Sequence, residues 1–285
     1  MTFSCLSPVQ QNILFASIIA DGEITKCYPG SRRKNNSYRE HYGKQQEAYR
    51  MWKASFYDGQ LYIRPNGNYL VSRSDPYFTK LYPYFYDISG NKRIPVELLS
   101  TCNLLHFLTV LYLDDGSLCI SKRVNHQKKL IYLTPHIFLY LQNYPRDQLH
   151  ILKTHINSKF GFDFKISKRK DGYGYILRLT TVMASLDFLG VIREIASGCK
   201  KMEYKFNWET RFQVEEEKLK KLHTGYQILS SDSNRFRNYT ENEVAQIIDF
   251  KKNGKTDKQI ANELQRSYWS IVYKLKELRK AGLLQ

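Results

Sequence analysis

The hydrophobic and polar positions along this chain repeat. The apolar stretch Leu14-Phe-Ala-Ser-Ile-Ile-Ala20 ends in Asp21-Gly22, and Leu108-Thr-Val-Leu-Tyr-Leu-Asp114 ends in Asp115-Gly116, an offset of 94 residues from Leu14 to Leu108. Each stretch is too long for a typical strand, so both read as buried helices with glycine as the C-terminal stop. The segments after the two helices are also alike: residues 23–42 predict a hairpin with the basic tip SRRKNN (31–36), and residues 117–133 one with the basic tip SKRVNHQKK (121–129). Turn residues mark a further hairpin in each half, 61–64 with 69–73 and 162–169 with 175–180. Helical spacing marks residues 45–57, 76–86, 146–160 and 184–196. The order αββαββα therefore occurs twice, in 1–100 and 101–222.

Beyond a charged helix ending near Leu222, residues 223–239 turn to Ser, Asp, Asn and Arg and read as a linker. A third unit occupies 240–285. Thr240 with Glu243 forms a capping signature, Asn253-Gly254 a stop, and two more helices are predicted over 256–264 and 267–278. Val244, Ile247, Ile248, Ile260, Ala261, Leu264, Ile271, Leu275 and Leu278 have the spacing of a small core. Three short helices with a tight turn at Gln265-Arg266 predict a helix-turn-helix.

Composition decides the client. Lys and Arg number 44 against 27 Asp and Glu, a net charge of +17, and 42% apolar residues with 22 Tyr and 15 Phe exclude a disordered polycation. The charge sits on folded surface, which points to nucleic acid. The five cysteines have no CxxC or Cys/His ligand spacing, so no zinc site and no disulfide framework is expected, and a reducing compartment fits. No apolar run approaches the roughly 20 residues of a membrane span, and no secretory signal opens the chain.

A carboxylate at a helix C-terminus faces the negative end of the macrodipole, at a cost of roughly 0.3–1 kcal/mol. Two such carboxylates, Asp21 and Asp115, brought together by a pseudo-two-fold axis call for a compensating cation. Mg²⁺ suits them, because it takes one or two carboxylates and keeps room for water and phosphate oxygens.

At these residues the chain resembles the single-chain LAGLIDADG homing endonucleases with two motif copies, over roughly residues 8–210, and is most similar to the mitochondrial omega-intron type. The likeness is carried by Asn91-Lys92-Arg93-Ile94-Pro95, Leu111-Tyr-Leu-Asp-Asp-Gly116 and Met202-Glu203-Tyr204-Lys205. It implies an α+β fold of two pseudo-symmetric αββαββα repeats, to which the three-helix unit is added. It further implies a Mg²⁺-dependent double-strand DNA endonuclease, with Mn²⁺ as a substitute and no organic cofactor, leaving short 3′ overhangs. Asp21 and Asp115 would bind metal, joined by the backbone of Ala20 and Asp114, and Lys92 and Lys205 would assist catalysis. The family prefers small residues where the motif helices touch; the first supplies Ala16 and Ala20, the second Thr109, Val110 and Asp114.

Alternation along the strands places Leu61 and Ile63 inward with Tyr62 and Arg64 outward, and Phe164 and Ile166 opposite Lys165 and Ser167. The candidate DNA contacts are Arg32, Arg33, Lys34, Arg64, Arg73, Lys122, Arg123, Lys128, Lys165, Arg169 and Arg178. In the third unit they are Arg266, Ser267, Tyr268, Ser270, Tyr273 and Lys274, around the start of the last helix. The expected partner is double-stranded DNA, bound by a monomer at a long asymmetric site, with no membrane. Intron RNA is the client of an alternative maturase reading, and a non-catalytic transcription regulator is the other alternative. The cytoplasm of a bacterial or phage system is the expected location, with an organelle as the alternative.

Overall fold

The computed structural model describes residues 6–65, 67–231, 239–266 and 268–284, Trp269 in its backbone alone. The chain divides into two compact units between residues 232 and 233. Among the described residues no helix is long and apolar enough to cross a membrane.

The larger unit is built on two helices, α1 (Pro8–Ile19) and α4 (Leu105–Asp115). Ser7 caps α1: its hydroxyl accepts the Gln10 N–H, and the Gln10 side chain accepts the Ser7 N–H. No side chain of its own caps α4. Instead Asn12, buried on α1, accepts the Leu104 N–H at 3.0 Å and donates to the Thr101 and Pro8 carbonyls at 2.9 and 2.8 Å. One satisfied amide thus ties the start of α4 to α1. The two helices pack against each other. Ala16, Thr109 and Val110 are all fully buried, so the bulkier residues of the second motif are absorbed into the packing.

Each helix is followed by the same elements. The first half continues as β1 (Glu23–Thr25), β2 (Ser37–His41), α2 (Glu47–Ala54), β3 (Leu61–Ile63), β4 (Tyr69–Ser72) and α3 (Pro76–Phe85). The second continues as β5 (Gly116–Asn125), β6 (Leu130–Leu139), α5 (Arg146–Phe160), β7 (Lys165–Lys168), β8 (Tyr175–Leu179) and α6 (Val182–Ala196). The strands form two antiparallel paths, β1-β2-β4-β3 and β5-β6-β8-β7. Burial alternates along them. Ile24, Tyr38, Leu61 and Leu70 lie on the core face of the first sheet, and Arg39, His41 and Tyr62 are exposed on the open face. In β6, Ile131, Leu133, Ile137 and Leu139 are buried, and Tyr132, Thr134, His136 and Phe138 between them face the open side.

Three expectations are corrected. The basic run 121–129 is mostly strand rather than tip: β5 and β6 pair from Gly116↔Leu139 to Asn125↔Leu130, leaving a four-residue turn closed by Lys129 at φ 50°. The segment read as a linker contains a strand, β9 (Gln227–Ser230), which pairs in parallel with Leu130–Leu133 of β6. It comes after α7 (Glu203–Phe206) and α8 (Trp208–Leu222). Its four residues are too few to give a period, and its partner lies 97 residues earlier, from Leu130 to Gln227. The motif glycines, lastly, are not conformational stops, for neither is among the positive-φ residues. They are required by space: a Cβ on Gly22 would lie 2.5 Å from the Tyr38 hydroxyl and 2.9 Å from the Ser17 carbonyl, and one on Gly116 would overlap Tyr112.

The smaller unit holds α9 (Glu241–Lys252), α10 (Asp257–Glu263) and α11 (Tyr268–Lys280). Thr240 with Glu243 and Thr256 with Gln259 form capping boxes, and Gly254 and Gln265 take left-handed φ values of 75° and 49° at the two turns. Ile247, Ile260, Ala261, Ile271, Leu275 and Leu278 are its core, with Val244, Ile248 and Leu264 against it.

Gly116→Ala should destabilise the larger unit by about 1–3 kcal/mol through overpacking, measured by urea denaturation. Gly43→Ala, where a Cβ meets nothing within 4 Å, is the control expected to change little.

Candidate active site and nucleic-acid surface

The last carbonyls of a helix lack intrahelical donors, and here two distant lysines supply them. Beyond α3 the chain turns through Asp87–Asn91, and Lys92 Nζ donates to the Ala20 and Gly22 carbonyls at 2.6 and 2.7 Å. Lys205, on α7, donates to the Leu113 and Asp114 carbonyls at 2.6 and 3.2 Å. Each ammonium sits at the negative end of its motif helix. Burial pushes both below the usual lysine range, against the pull of Asp21, Asp114 and Asp115.

The structure therefore gathers all four residues expected to do chemistry at the ends of α1 and α4. Asp21 is exposed, and Asp115 is half-buried. The Asp115 carboxyl is pushed up to about 8, first by burial and then by the Asp21 and Asp114 charges, with Lys92 and Lys205 pulling the other way. Hard carboxylate oxygens crowded enough to repel one another fit a divalent cation. The Ala20 and Asp114 carbonyls are less suited to it, because each already faces a lysine ammonium.

Beneath this site lies a buried ionic cluster that the pattern of the chain did not predict. Glu40 on β2, Arg50 and Lys53 on α2, and Asp114 on α4 have side chains no more than 1% exposed. Lys53 Nζ lies 2.6 Å from Glu40 and 3.0 Å from Asp114, and donates to the Ser17 hydroxyl at 3.1 Å. Arg50 reaches Glu40 at 2.8 Å, Asp114 at 3.5 Å, and Asp21 Oδ2 at 2.8 Å. Tyr38 donates to the second Glu40 oxygen at 2.7 Å. The inner four charges sum to zero, which is what allows them to be buried. Oxygens of Asp21, Glu40 and Asp114 come within 4.8 Å of one another, a spacing that suits a cation, but Arg50 and Lys53 already neutralise the inner two. Asp114 thus differs from Asp115 in role: it locks α4 to the first half. A signal was present in Glu40, a charge at an inward position of β2 flanked by outward Arg39 and His41.

Most of the predicted contacts are exposed, on strands or in the turns between them. Arg32, Lys34, Arg64, Arg73 and Lys128 are exposed. Arg33 folds onto Ser37 and Thr25 at 2.7 and 3.2 Å. Arg123 stacks over Tyr132, 4.7 Å from the ring centroid. Lys165 and Arg178 are direct cross-strand partners, both exposed. Opposed like charges are unfavourable on a folded sheet, and a polyanion relieves them. Two candidates are otherwise engaged. Lys122 lies on the opposite face, 3.1 Å from Glu215 of α8, because strand alternation turns it away from Arg123. Arg169 is bound to Asp171 in its own turn at 2.5 Å. Arg39, exposed on the open face beside Glu23, was not foreseen.

In the smaller unit Arg266 braces the fold, since it forks onto Glu243 at 2.8 Å and stacks over Tyr239 at 3.9 Å. Ser270 bonds Tyr239 at 2.8 Å, and Lys274 meets Glu277 at 2.8 Å. Tyr268 and Tyr273 are exposed, and Ser267 lies outside the described residues.

The sequence matches the LAGLIDADG DNA endonuclease family over residues 11–185. This chain belongs to that family. The match takes in both LAGLIDADG motifs and Lys92, and ends before Lys205, β9 and the three-helix unit. Among solved structures, the fold is similar to that of the homing endonuclease I-WcaI bound to its DNA recognition sequence, at 21% identity over 72% of this chain and 88% of that one, with a TM-score of 0.52. The meganuclease I-SmaMI bound to uncleaveable DNA aligns at 13% identity over 76% of this chain and 93% of its own, with a TM-score of 0.49. Curated proteins yield no match.

For this LAGLIDADG chain, Asp114→Asn should destabilise the larger unit by about 3–5 kcal/mol, because it uncovers buried Arg50 and Lys53 charge, again by urea denaturation. In EDTA the native state keeps the Asp115 proton up to about pH 8, whereas the unfolded chain releases it near pH 3.9. The native state binds the extra proton, so stability from this group is full below about pH 4 and is lost as pH rises through about 8. Asp115→Asn should flatten that decline in a plot of Tm against pH.

Proposed function

We propose that the chain is a site-specific homing endonuclease that hydrolyses both strands of a long asymmetric DNA site as a monomer, with Mg²⁺ or Mn²⁺. One observation carries the reading: two acids and two half-buried lysines from four separate parts of the chain converge at the ends of α1 and α4, in a unit whose two sheets carry exposed basic residues. Hydrolysis adds water across the P–O3′ bond, leaving a 5′ phosphate and a 3′ hydroxyl, the water's proton passing to the departing oxygen. Asp21 and Asp115 hold the divalent ion, which when bound supplies charge at the scissile phosphate and acidifies water. Lys92 and Lys205 place fixed positive charge where the phosphate gathers negative charge, at no reorganisation cost. Arg50 holds the Asp21 carboxylate in place. The open faces contact phosphates and base edges, and α11 with its exposed tyrosines is a second DNA reader. The two unlike halves favour an asymmetric site, and such an enzyme would promote mobility of its own intron or gene.

Incubation of a randomised duplex library with Mg²⁺ should give one recurrent site with short 3′ overhangs, and none with the Asp21→Asn/Asp115→Asn double variant. Absence of any recurrent break with the parent protein refutes the reading. Lys92→Met and Lys205→Met should each lower the cleavage rate about 10²-fold or more with DNA affinity nearly unchanged.

The maturase reading has one observation of its own. Tyr132, His136 and Phe138 line the open face of β6, and such rings stack with unpaired bases. Acceleration of host-intron splicing without DNA cleavage would select it.

A further inference from the structure

Among the described residues the strand β9 has no counterpart in the first half, and it changes the surface of the second. Its register is fixed at both ends: the Gln227 N–H donates to the Lys129 carbonyl at 2.9 Å, and the Ser231 N–H to the Leu133 carbonyl at 2.7 Å. Ile228 pairs with Ile131 and both are buried, so this side of β9 belongs to the core, under α8. Trp208 of α8 donates to the Ser230 hydroxyl at 3.2 Å on that same side. Alternation then turns Gln227 and Leu229 to the open face.

There they complete two rows across three strands. Asn125, Leu130 and Gln227 form one, and Arg123, Tyr132 and Leu229 the next. Gln227 is exposed. None of β5 to β9 contains an Asp or Glu, so the whole face is free of strand carboxylates, and Arg123, Lys128 and Lys129 surround its outer end. The turn between β5 and β6 is braced from the same segment, where the Tyr226 hydroxyl lies 3.0 Å from His126 Nδ1. The Gln227 amide, on a strand of fixed register within a basic surface, has the donor and acceptor that base edges require, and across Leu130 the Asn125 amide adds its NH₂ group, its Oδ1 accepting the Lys128 N–H at 3.1 Å.

We propose that β9 is a sequence-reading strand, with Gln227 a specificity-determining residue for the outer flank of the second half-site. The inference rests on the endonuclease reading for its partner, duplex DNA. A strand widens a sheet by about 4.8 Å, little more than the roughly 3.4 Å spacing of successive bases along one strand. The effect is therefore confined to one or two adjacent positions, and the second half reads a longer flank than the first.

The test is selection of bound duplexes from a random-sequence library in Ca²⁺ buffer by the full chain, the Gln227→Ala variant and the Gln227→Lys variant. Gln227 is exposed, so neither variant perturbs the core, and circular dichroism confirms the fold. Gln227→Ala should lower discrimination about 5- to 100-fold at one or two outermost positions on the Asp115 side, with preferences elsewhere unchanged. Gln227→Lys should lose the same discrimination while its affinity becomes more salt-dependent. A parent that selects a site and a Gln227→Ala variant with an identical profile overturn the proposal and leave the endonuclease reading standing. A parent that selects no DNA overturns both.

Discussion

Two helices that end in carboxylates meet at their negative ends, and cations from three other parts of the larger unit answer that electrostatic problem. Asp21 and Asp115 add charge where the macrodipoles already place it. Lys92 and Lys205 meet carbonyls at the helix ends from outside the helices, and in each half one of these belongs to the residue before the motif aspartate, Ala20 or Asp114. The Asp115 carboxyl is nevertheless held above its usual range, first by burial and then by the Asp21 and Asp114 charges. Two carboxylates whose oxygens are hard donors thus stand beside two ammonium groups at the joined helix ends.

The halves solve the problem differently. At the position before the motif aspartate the first repeat has Ala20 and the second Asp114, and that one difference reorganises the interior. Asp114 enters the first half, where Arg50, Lys53 and Glu40 make it one member of a neutral buried quartet. A well-packed apolar replacement of similar volume could be as stable. What the ions add is fixed orientation: Arg50 cannot bind both inner acids and Asp21 unless α1, α2 and α4 are in register. The first motif carboxylate is consequently held by a guanidinium, and the second has lysines alone.

The nucleic-acid surfaces are unequal for a related reason. The first sheet has short strands and a carboxylate, Glu23, paired with Arg39 on its open face. The second has two ten-residue strands, no acid on any strand, and a ninth strand laid along the outer end of β6. Pseudo-symmetric folding of one motif has produced two faces that would meet a duplex with different reach and different chemistry.

Much of this was legible beforehand, because it depends on neighbours in the chain. Strand alternation, capping pairs such as Thr240 with Glu243, and turn residues are local signals, and they located α5, the second hairpins and the three-helix core. The motif aspartates were legible through duplication. Resemblance, rather than period or spacing, marked Lys92 and Lys205. The features that the chain alone left undetermined depend on residues far apart: Lys92 lies 71 residues from Asp21 and Lys205 lies 90 from Asp115, Arg50 and Lys53 stand on a helix whose local pattern singled out neither, and β9 is strand only because β6 offers it an edge. Local pattern was enough to specify the two repeated halves and the acids at their helix ends. Which charges are buried together and which face is open emerged only on folding, because burial and hydrogen-bond partnership are properties of packing between elements and have no local period to read.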